Sequence, residues 1–545
     1  MKMSILSQDL TPLFDLARIM ACLDRSYPRM ISQIDRDPHS PTFGSCDRNY
    51  WMYRLRDFES GVLMQSSLTL AALDALAGLV DMTGCRHLKP ENRPYWRALA
   101  LAINRRTVDL LARNKGHLDE YYPGERSLPA TAFSAYAVLK SACMLDQDEI
   151  LDSEGLKAAA ERLIRRQPAP CANQDAGAAA FLALYSKTRR WQRNRAAEAI
   201  KRLLAGQNGK GGFWEYGGRD LGYATVALNY LACMLADASY AAGEDLDRLA
   251  QEVADFVTPG GGLGGEFASR STTYWLPLGL VAASRRDPLL AARLGRLELG
   301  DVFDKLDDRY LMHYFLPSVA LACLDLAQQG LPLIGKEPPP VMTFHQQAGI
   351  FVYQSGEAAV FVSMNKGGAV QVESKESTVI DCGYRLRRAG RVFATCISDL
   401  TLETDLDQGD QGAALEVKAR FGRFPALTPS PLKTIALRLL WFLGPWLSSY
   451  FKKRLIQRPK TLEGAALRRR VRLDLSRDAV TVEDHITGLR PGDELYTAPP
   501  VSFRLVPSAR FYQKGEEDGF MAQESLEEGT EVFHKREISL KTGDG

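Results

Sequence analysis

The chain has 545 residues, 46% hydrophobic and 25% charged, which gives room for roughly two to four domains and excludes disorder as the dominant state. A formal net charge of +2 excludes the strongly basic footprint of a general nucleic-acid binder, so no nucleic-acid partner is expected. Nine cysteines, with no CxxC pair and no Cys/His cluster, predict reduced thiols and no metal site.

The amino terminus, Met1 to Asp9, breaks its apolar run too early for a secretory signal, and the expected location is cytoplasmic. From about Asp57 to Gln329 helical patterns follow one another, punctuated by Gly, Pro and charged turns. The stripes predict helices over Ser60 to Val80, Trp96 to Leu111, Ala130 to Leu145, Glu154 to Arg166 and Ala176 to Tyr185. More are predicted over Arg190 to Leu204, Gly222 to Leu235, Asp245 to Phe256, Thr273 to Ala283 and Tyr310 to Gln329. Antiparallel helix pairs in such number commonly close into a toroid or coil into a solenoid. A toroid is favoured here because the conspicuous polar groups fall in loops at helix starts, where it would gather them in one cleft.

Two glycine-rich turns stand out within that half. The first runs from Gln207 through Trp214, Glu215 and Asp220 to Tyr223, and the second from Gly260 through Glu266 and Arg270 to Trp275. Glycines allow positive φ and close backbone approach, so such turns can aim neighbouring side chains in fixed directions; each is also compatible with a plain helix-to-helix corner.

The run Glu337-Pro338-Pro339-Pro340 reads as a linker. Beyond it the pattern changes to period two, at Gly349 to Tyr353, Ala359 to Ser363, Gly368 to Glu373, Val471 to Leu475 and Ala479 to Ile486, which predicts an antiparallel β-sandwich. The expected architecture is α+β and multidomain: an incomplete α/α toroid over 1–335, then a sandwich over 341–545 with an amphipathic helical insertion at 431–459. Between Arg438 and Lys452 only 13 residues lack charge, too few for a membrane span of about 20. With Lys433, Lys452, Lys453, Arg454 and Arg458 around Trp441, Trp446 and Tyr450, the insertion suits either peripheral contact with anionic lipid at the inner membrane face or a hairpin packed on the protein.

This order of halves resembles the heparinase II/III-like polysaccharide lyases. Ala348 to Tyr353, followed by Val360 to Gly368, looks like the start of that family's β-domain, and Gly264 to Arg270 is similar to loops of exopolysaccharide-locus proteins. The resemblance implies cleavage of a uronate-containing, acidic polysaccharide by β-elimination, with no cofactor. That chemistry needs a neutraliser for the sugar carboxylate, a base for the α-proton and an acid for the departing oxygen. The family uses Asn, Gln, Arg or His for the first task, and His and Tyr for proton transfer.

The catalytic candidates are then Asn173, Tyr223, Tyr274 and His313. The substrate-binding candidates are Arg56, Gln174, Trp214, Glu266, Arg270 and Tyr314, with Glu120 to Arg126 as a further groove wall. Asn173 and Gln174 precede a helix expected near Asp175, where helix capping explains them equally well. A tyrosine stabilised as phenolate by a nearby cation would serve as base, and Arg270 would bind a carboxylate bidentately. Salt bridges to Glu215, Asp220 or Glu266 and core packing account for the same residues, as a satisfied core position does for His313. Two other functions fit the sequence: a glycoside hydrolase using two of Glu215, Asp220 and Glu266, or a silent polysaccharide-binding or assembly factor. The Gln207-to-Trp214 turn is also similar to corners of terpene-cyclase toroids, but the acidic run their chemistry needs is absent; Asp307-Asp308 alone stands in its place.

Overall fold

The structure is a computed structural model describing residues 12–208, 213–215, 218–238, 243–264, 268–375, 377–397, 401–423, 430–442, 460–500 and 531–540. Helices make up 47% and antiparallel sheet 22%, which defines an α+β protein. The helices are α1 (Leu16–Gln33), α2 (Arg48–Trp51), α3 (Ser66–Leu76), α4 (Arg93–Arg113), α5 (Leu128–Met144), α6 (Asp148–Leu151), α7 (Glu154–Leu163) and α8 (Ala172–Arg189). They continue with α9 (Arg193–Asn208), α10 (Leu221–Ala238), α11 (Gly243–Ala254), α12 (Pro277–Ser284), α13 (Pro288–Leu294), α14 (Gly300–Lys305), α15 (Asp308–Tyr310) and α16 (Leu316–Gln329).

Spacing explains most of these. On α11, Leu246, Leu249, Ala250, Val253 and Ala254 are buried at the i, i+3, i+4 rhythm of one helix face. On α8 the run Ala176 to Ala180 is wholly buried, and a Cβ on Gly177 would lie 2.4 Å from the Phe133 ring of α5, so small residues set how closely these helices approach. Helix α1 lies before the expected helical run and carries Pro28 inside it.

Several expected helix starts shift by a few residues, and the one from Ser60 opens as a 3₁₀ turn over Gly61–Gln65 before α3; two further departures have a clear cause in local contacts. The helix expected from Thr273 begins at Pro277, because the segment before it is held extended: Leu276 N donates to Thr225 Oγ1 at 3.0 Å and Thr272 is tied to Asp220. The helix expected from Tyr310 is broken by a π turn over Leu311–Phe315, just ahead of Pro317, which has no N–H to give the carbonyl one turn back. The stretch Asp308–Gln329 is long and apolar enough to cross a membrane, but 78% of it is buried within the fold, as in a core helix.

Thirteen strands are described: β1 (Val341–His345), β2 (Ile350–Gln354), β3 (Ala358–Ser363), β4 (Ala369–Ser374), β5 (Thr378–Asp381), β6 (Tyr384–Arg388), β7 (Arg391–Ala394), β8 (Thr401–Gly409), β9 (Gly412–Arg423), β10 (Lys460–Asp474), β11 (Ala479–Thr487), β12 (Glu494–Thr497) and β13 (Glu531–Ser539). Strands β1 to β5 form one antiparallel sheet in sequence order. The other eight form a curled sheet in the order β12-β6-β7-β9-β10-β11-β13, with β8 also pairing β9.

Three layers result. Strands β3 and β4 are buried at every position, because both faces of their sheet are covered. Ile350, Val352 and Phe361 join the helical core, whereas Phe351, Val360 and Val362 meet Leu415, Val417, Val471 and Val482 of the curled sheet. The far face of the curled sheet is solvated, and β13 accordingly alternates between exposed and half-buried residues.

Of the insertion, α17 (Pro431–Phe442) is described, and 443–459 lies outside the described residues. Leu432, Ile435 and Leu439 stand exposed on α17, while Arg438 donates to Asp57 at 3.1 Å.

Candidate active site

The described parts of the glycine-rich turns are tied to each other and to the sheets. Asp220, buried just before α10, accepts from Tyr223 N at 3.1 Å, and its other oxygen accepts from Arg270 N at 3.0 Å. The Thr272 hydroxyl also donates to it. Glu215 accepts from Asn173 N and Asn173 Nδ2, each at 3.1 Å, and from Cys171 Sγ at 2.9 Å. Burial pushes the Glu215 carboxyl up to about 8, with the Cys171 hydrogen bond acting against it. Burial likewise raises Asp220 against the hydrogen bond from Thr272.

On the sheet side, Lys366 donates to Ser271, Arg219 Nη2 donates to Gln347 at 2.6 Å, and Phe256 stacks on Phe361 at 5.7 Å. A Cβ on Gly264 would lie 2.4 Å from the Phe361 ring, so this glycine serves the close approach of helical loop and sheet.

A chain of rings leads away from this joint. Tyr223 meets Tyr274 edge-on at 6.3 Å, Tyr274 lies 5.9 Å from Tyr310, and Tyr310 lies 5.7 Å from Tyr314. Tyr310 directly precedes the π turn and Tyr314 lies within it. Burial holds the Tyr274 and Tyr314 phenols well above their ordinary pKa. These two tyrosines therefore rest protonated, and the expected phenolate is not their resting state.

Beside the rings, Arg309 lies 4.3 Å over the exposed ring of Tyr121 and pairs with Glu120. Arg309 also lines a half-open cleft of about 370 Å³ with Arg48, Arg56, Asp47, Asp308 and Tyr53. Within it Arg56 pairs with buried Asp47 at 3.1 Å, and Asp308 pairs with Arg29 at 2.9 Å. Arg48 stacks over Tyr53 at 5.2 Å, and its buried Nε has no hydrogen-bond partner. The cleft thus presents three guanidiniums, two of them paired with carboxylates, Arg56 with Asp47 and Arg309 with Glu120, while Arg29 engages Asp308 and Arg48 Nε has no hydrogen-bond partner; guanidinium forks of this kind suit an anionic ligand.

The sequence candidates divide accordingly. Tyr223, Tyr274 and Tyr314 come together, and Arg56 lines the adjoining cleft alongside Arg309. Arg270 is half-buried at the joint, where its backbone is held by Asp220. Asn173 lies inside α8, not before it, and is spent on Glu215; Gln174 beside it and Trp214 are half-buried. Glu266 lies outside the described residues. His313 is 1% exposed, faces a void of about 10 Å³ with Gln65, Asn229 and Ser318, and finds no hydrogen-bond partner for either ring nitrogen. Burial holds its imidazole neutral, with Arg309 acting the same way. Its ring packs 4.2 Å from Tyr314, so it stands behind the tyrosines.

Sequence reasoning singled out neither Arg48 nor Arg309. A signal existed for both, since each sits in an Arg-and-Tyr cluster, Arg48-Asn49-Tyr50 and Arg309-Tyr310, but nothing in sequence brings positions so far apart together. Among the described residues, no group of three or more His, Cys, Asp or Glu is placed to hold a metal. No disulfide joins the nine cysteines. No protein-family model matches the chain, and a search of curated proteins returns no match.

Proposed function

We propose that the chain binds an acidic, uronate-containing polysaccharide at the Arg48–Arg56–Arg309 cleft and cleaves it by β-elimination. The scaffold in this reading is an incomplete α/α toroid over 1–335 joined to an antiparallel β-sandwich over 341–545. The observation that carries it is one cleft with three guanidiniums whose Arg309 borders a chain of four tyrosines.

In the reaction the guanidiniums neutralise the sugar carboxylate and so acidify the α-proton. A base takes that proton, a carbon–carbon double bond forms as the glycosidic C–O bond breaks, and an acid protonates the departing oxygen. Tyr274 and Tyr314, held protonated, suit the acid. Tyr223, half-buried at the start of α10, is left to accept the α-proton.

A second reading, a polysaccharide-binding or assembly factor that does not cleave, draws support from the enclosure of neutral His313 and from the engagement of Asn173 with Glu215. The hydrolase reading draws less, since Glu215 and Asp220 are buried and hold loops together. Incubating the purified chain with a panel of uronate polymers separates the three. The ultraviolet absorbance of an unsaturated uronate supports elimination, reducing ends without it support hydrolysis, and binding with neither supports the assembly factor.

Peripheral membrane contact through 431–459 forms part of the proposal. It rests on the exposed Leu432, Ile435 and Leu439 of α17 beside Lys433.

A further inference from the structure

A second cleft, of about 400 Å³, lies between α11 and the turn from β1 to β2, and the glycan-cleavage reading makes no use of it. Its volume falls within the range of small-molecule sites. The polar groups that line it are of both kinds. Glu252 in the last turn of α11 and Asp255 just beyond its end offer carboxylate acceptors, while Arg219, Arg248, His345 and Gln347 offer donors.

These groups are held by one another. Arg219 Nε lies 3.3 Å from Glu252, and Arg219 Nη2 donates to Gln347 at 2.6 Å. Asp255 accepts from Arg293 at 3.1 Å and has His345 Nε2 3.4 Å away. The Arg219 side chain is only 10% exposed and those of Asp255 and His345 13% and 17%, so the constellation is built into the joint between helices and sheet.

The mixture decides the class of ligand. An anion would meet Glu252 and Asp255, and a cation would meet Arg219 and Arg248; neither finds a wall of one sign. A sugar hydroxyl gives one hydrogen bond and accepts two, so a polyhydroxylated ring uses carboxylates, guanidiniums and amides together. Leu249 and Ala348 add short apolar patches for its C–H face. Burial also pushes the Glu252 carboxyl up, with Arg219 acting against it, which softens the acidic side of the cleft.

We infer that this junction cleft binds a neutral saccharide. The inference stands apart from the acidic-glycan reading, because none of Arg48, Arg56 and Arg309 belongs to it.

The test titrates the full chain with neutral oligosaccharides of glucose, galactose, mannose and N-acetylglucosamine, and in parallel with uronate oligomers, by calorimetry and saturation-transfer NMR. At least one neutral oligosaccharide is expected to bind at submillimolar concentration. Glu252→Gln should weaken it roughly tenfold or more, which is about 1.4 kcal/mol. Gln346→Trp, at an exposed lining position, should block the cleft while leaving the melting temperature unchanged, and it decides the matter if Glu252→Gln fails to fold. Arg48→Ala should leave neutral-sugar binding intact. The inference is overturned if no neutral oligosaccharide binds at millimolar concentration, if binding survives Gln346→Trp, or if uronates are the ligands that this substitution displaces. Failure of uronate binding alone would touch only the acidic-glycan reading.

Discussion

Arg469 and Asp484 are direct register partners across β10 and β11, and they form a two-pronged ion pair, 2.7 and 2.8 Å, with both side chains fully buried. Arg469 also donates to Asp381 at 3.1 Å and to the Gly368 carbonyl at 3.2 Å, while Asp484 accepts from Arg536 at 2.9 Å and from the Tyr384 hydroxyl at 2.8 Å. Two guanidiniums and two carboxylates thus balance inside the protein. Burial opposes the Asp381 charge, but Arg469 and Arg536 outweigh it and hold that carboxyl below its usual range.

Removing one partner strands the others. Arg469→Met should lower stability by about 3–5 kcal/mol, because a carboxylate buried without its partner costs far more than the intact pair contributes. Denaturant unfolding of variant and wild type checks this, and an unchanged midpoint would show that the network holds nothing together.

Glu215 sets a pH dependence. Its carboxyl is raised from 4.5 to about 8 in the folded state, so between those values the folded chain holds a proton that the unfolded chain has released. Stability from this group is complete below the unfolded value and is lost as pH rises toward the folded one. Glu215→Gln should flatten that decline, measured as unfolding midpoints at closely spaced pH values. An equally steep decline in the variant would assign it to other groups.

At the joint, Gly264→Ala should cost about 1–3 kcal/mol, since the added methyl meets the Phe361 ring. Phe361→Leu in the same chain should recover part of that loss. Two costs that simply add would mean the residues do not press on each other.

In the arginine cleft, Arg48→Ala should weaken uronate binding by about 1.5–3 kcal/mol, the worth of a hydrogen bond to a charged group, without unfolding the chain. Tyr274→Phe keeps the ring and should reduce turnover by about 10²–10⁴ with binding retained. His313→Leu, by contrast, removes two unpartnered buried nitrogens and should leave the melting temperature equal or higher. Full turnover in Tyr274→Phe, or its selective loss in a well-folded His313→Leu, would reverse the roles given to these residues.

The exposed face of α17 predicts flotation with anionic liposomes, diminished by Leu432→Ser with Ile435→Ser and by high salt. A chain that stays in solution with every lipid mixture would place that face against protein.

Much of the local structure was legible in the sequence, because periodicity reports which face of an element is buried. The helical half, the change to period two after Pro340 and five of the strands follow from that rule. The starts of α12 and the break before α16 did not, since a Thr272–Asp220 tie and a π turn override the apolar stripe. The site divides along the same line. Tyr223 and Tyr274 were marked for proton transfer by their loops, and Tyr314 for substrate binding by its place beside His313.

Tertiary contact alone decided which of those groups meet, which are spent and which are enclosed. It consumed Asn173 on Glu215, shut His313 behind Tyr314, and turned the glycine-rich loops into a joint against Phe361 and Lys366. It also carried Arg48 and Arg309 from distant positions into one cleft. Burial then set the protonation of Glu215, Tyr274 and His313, and burial is a property of everything packed around a residue, not of the stretch of chain in which it occurs.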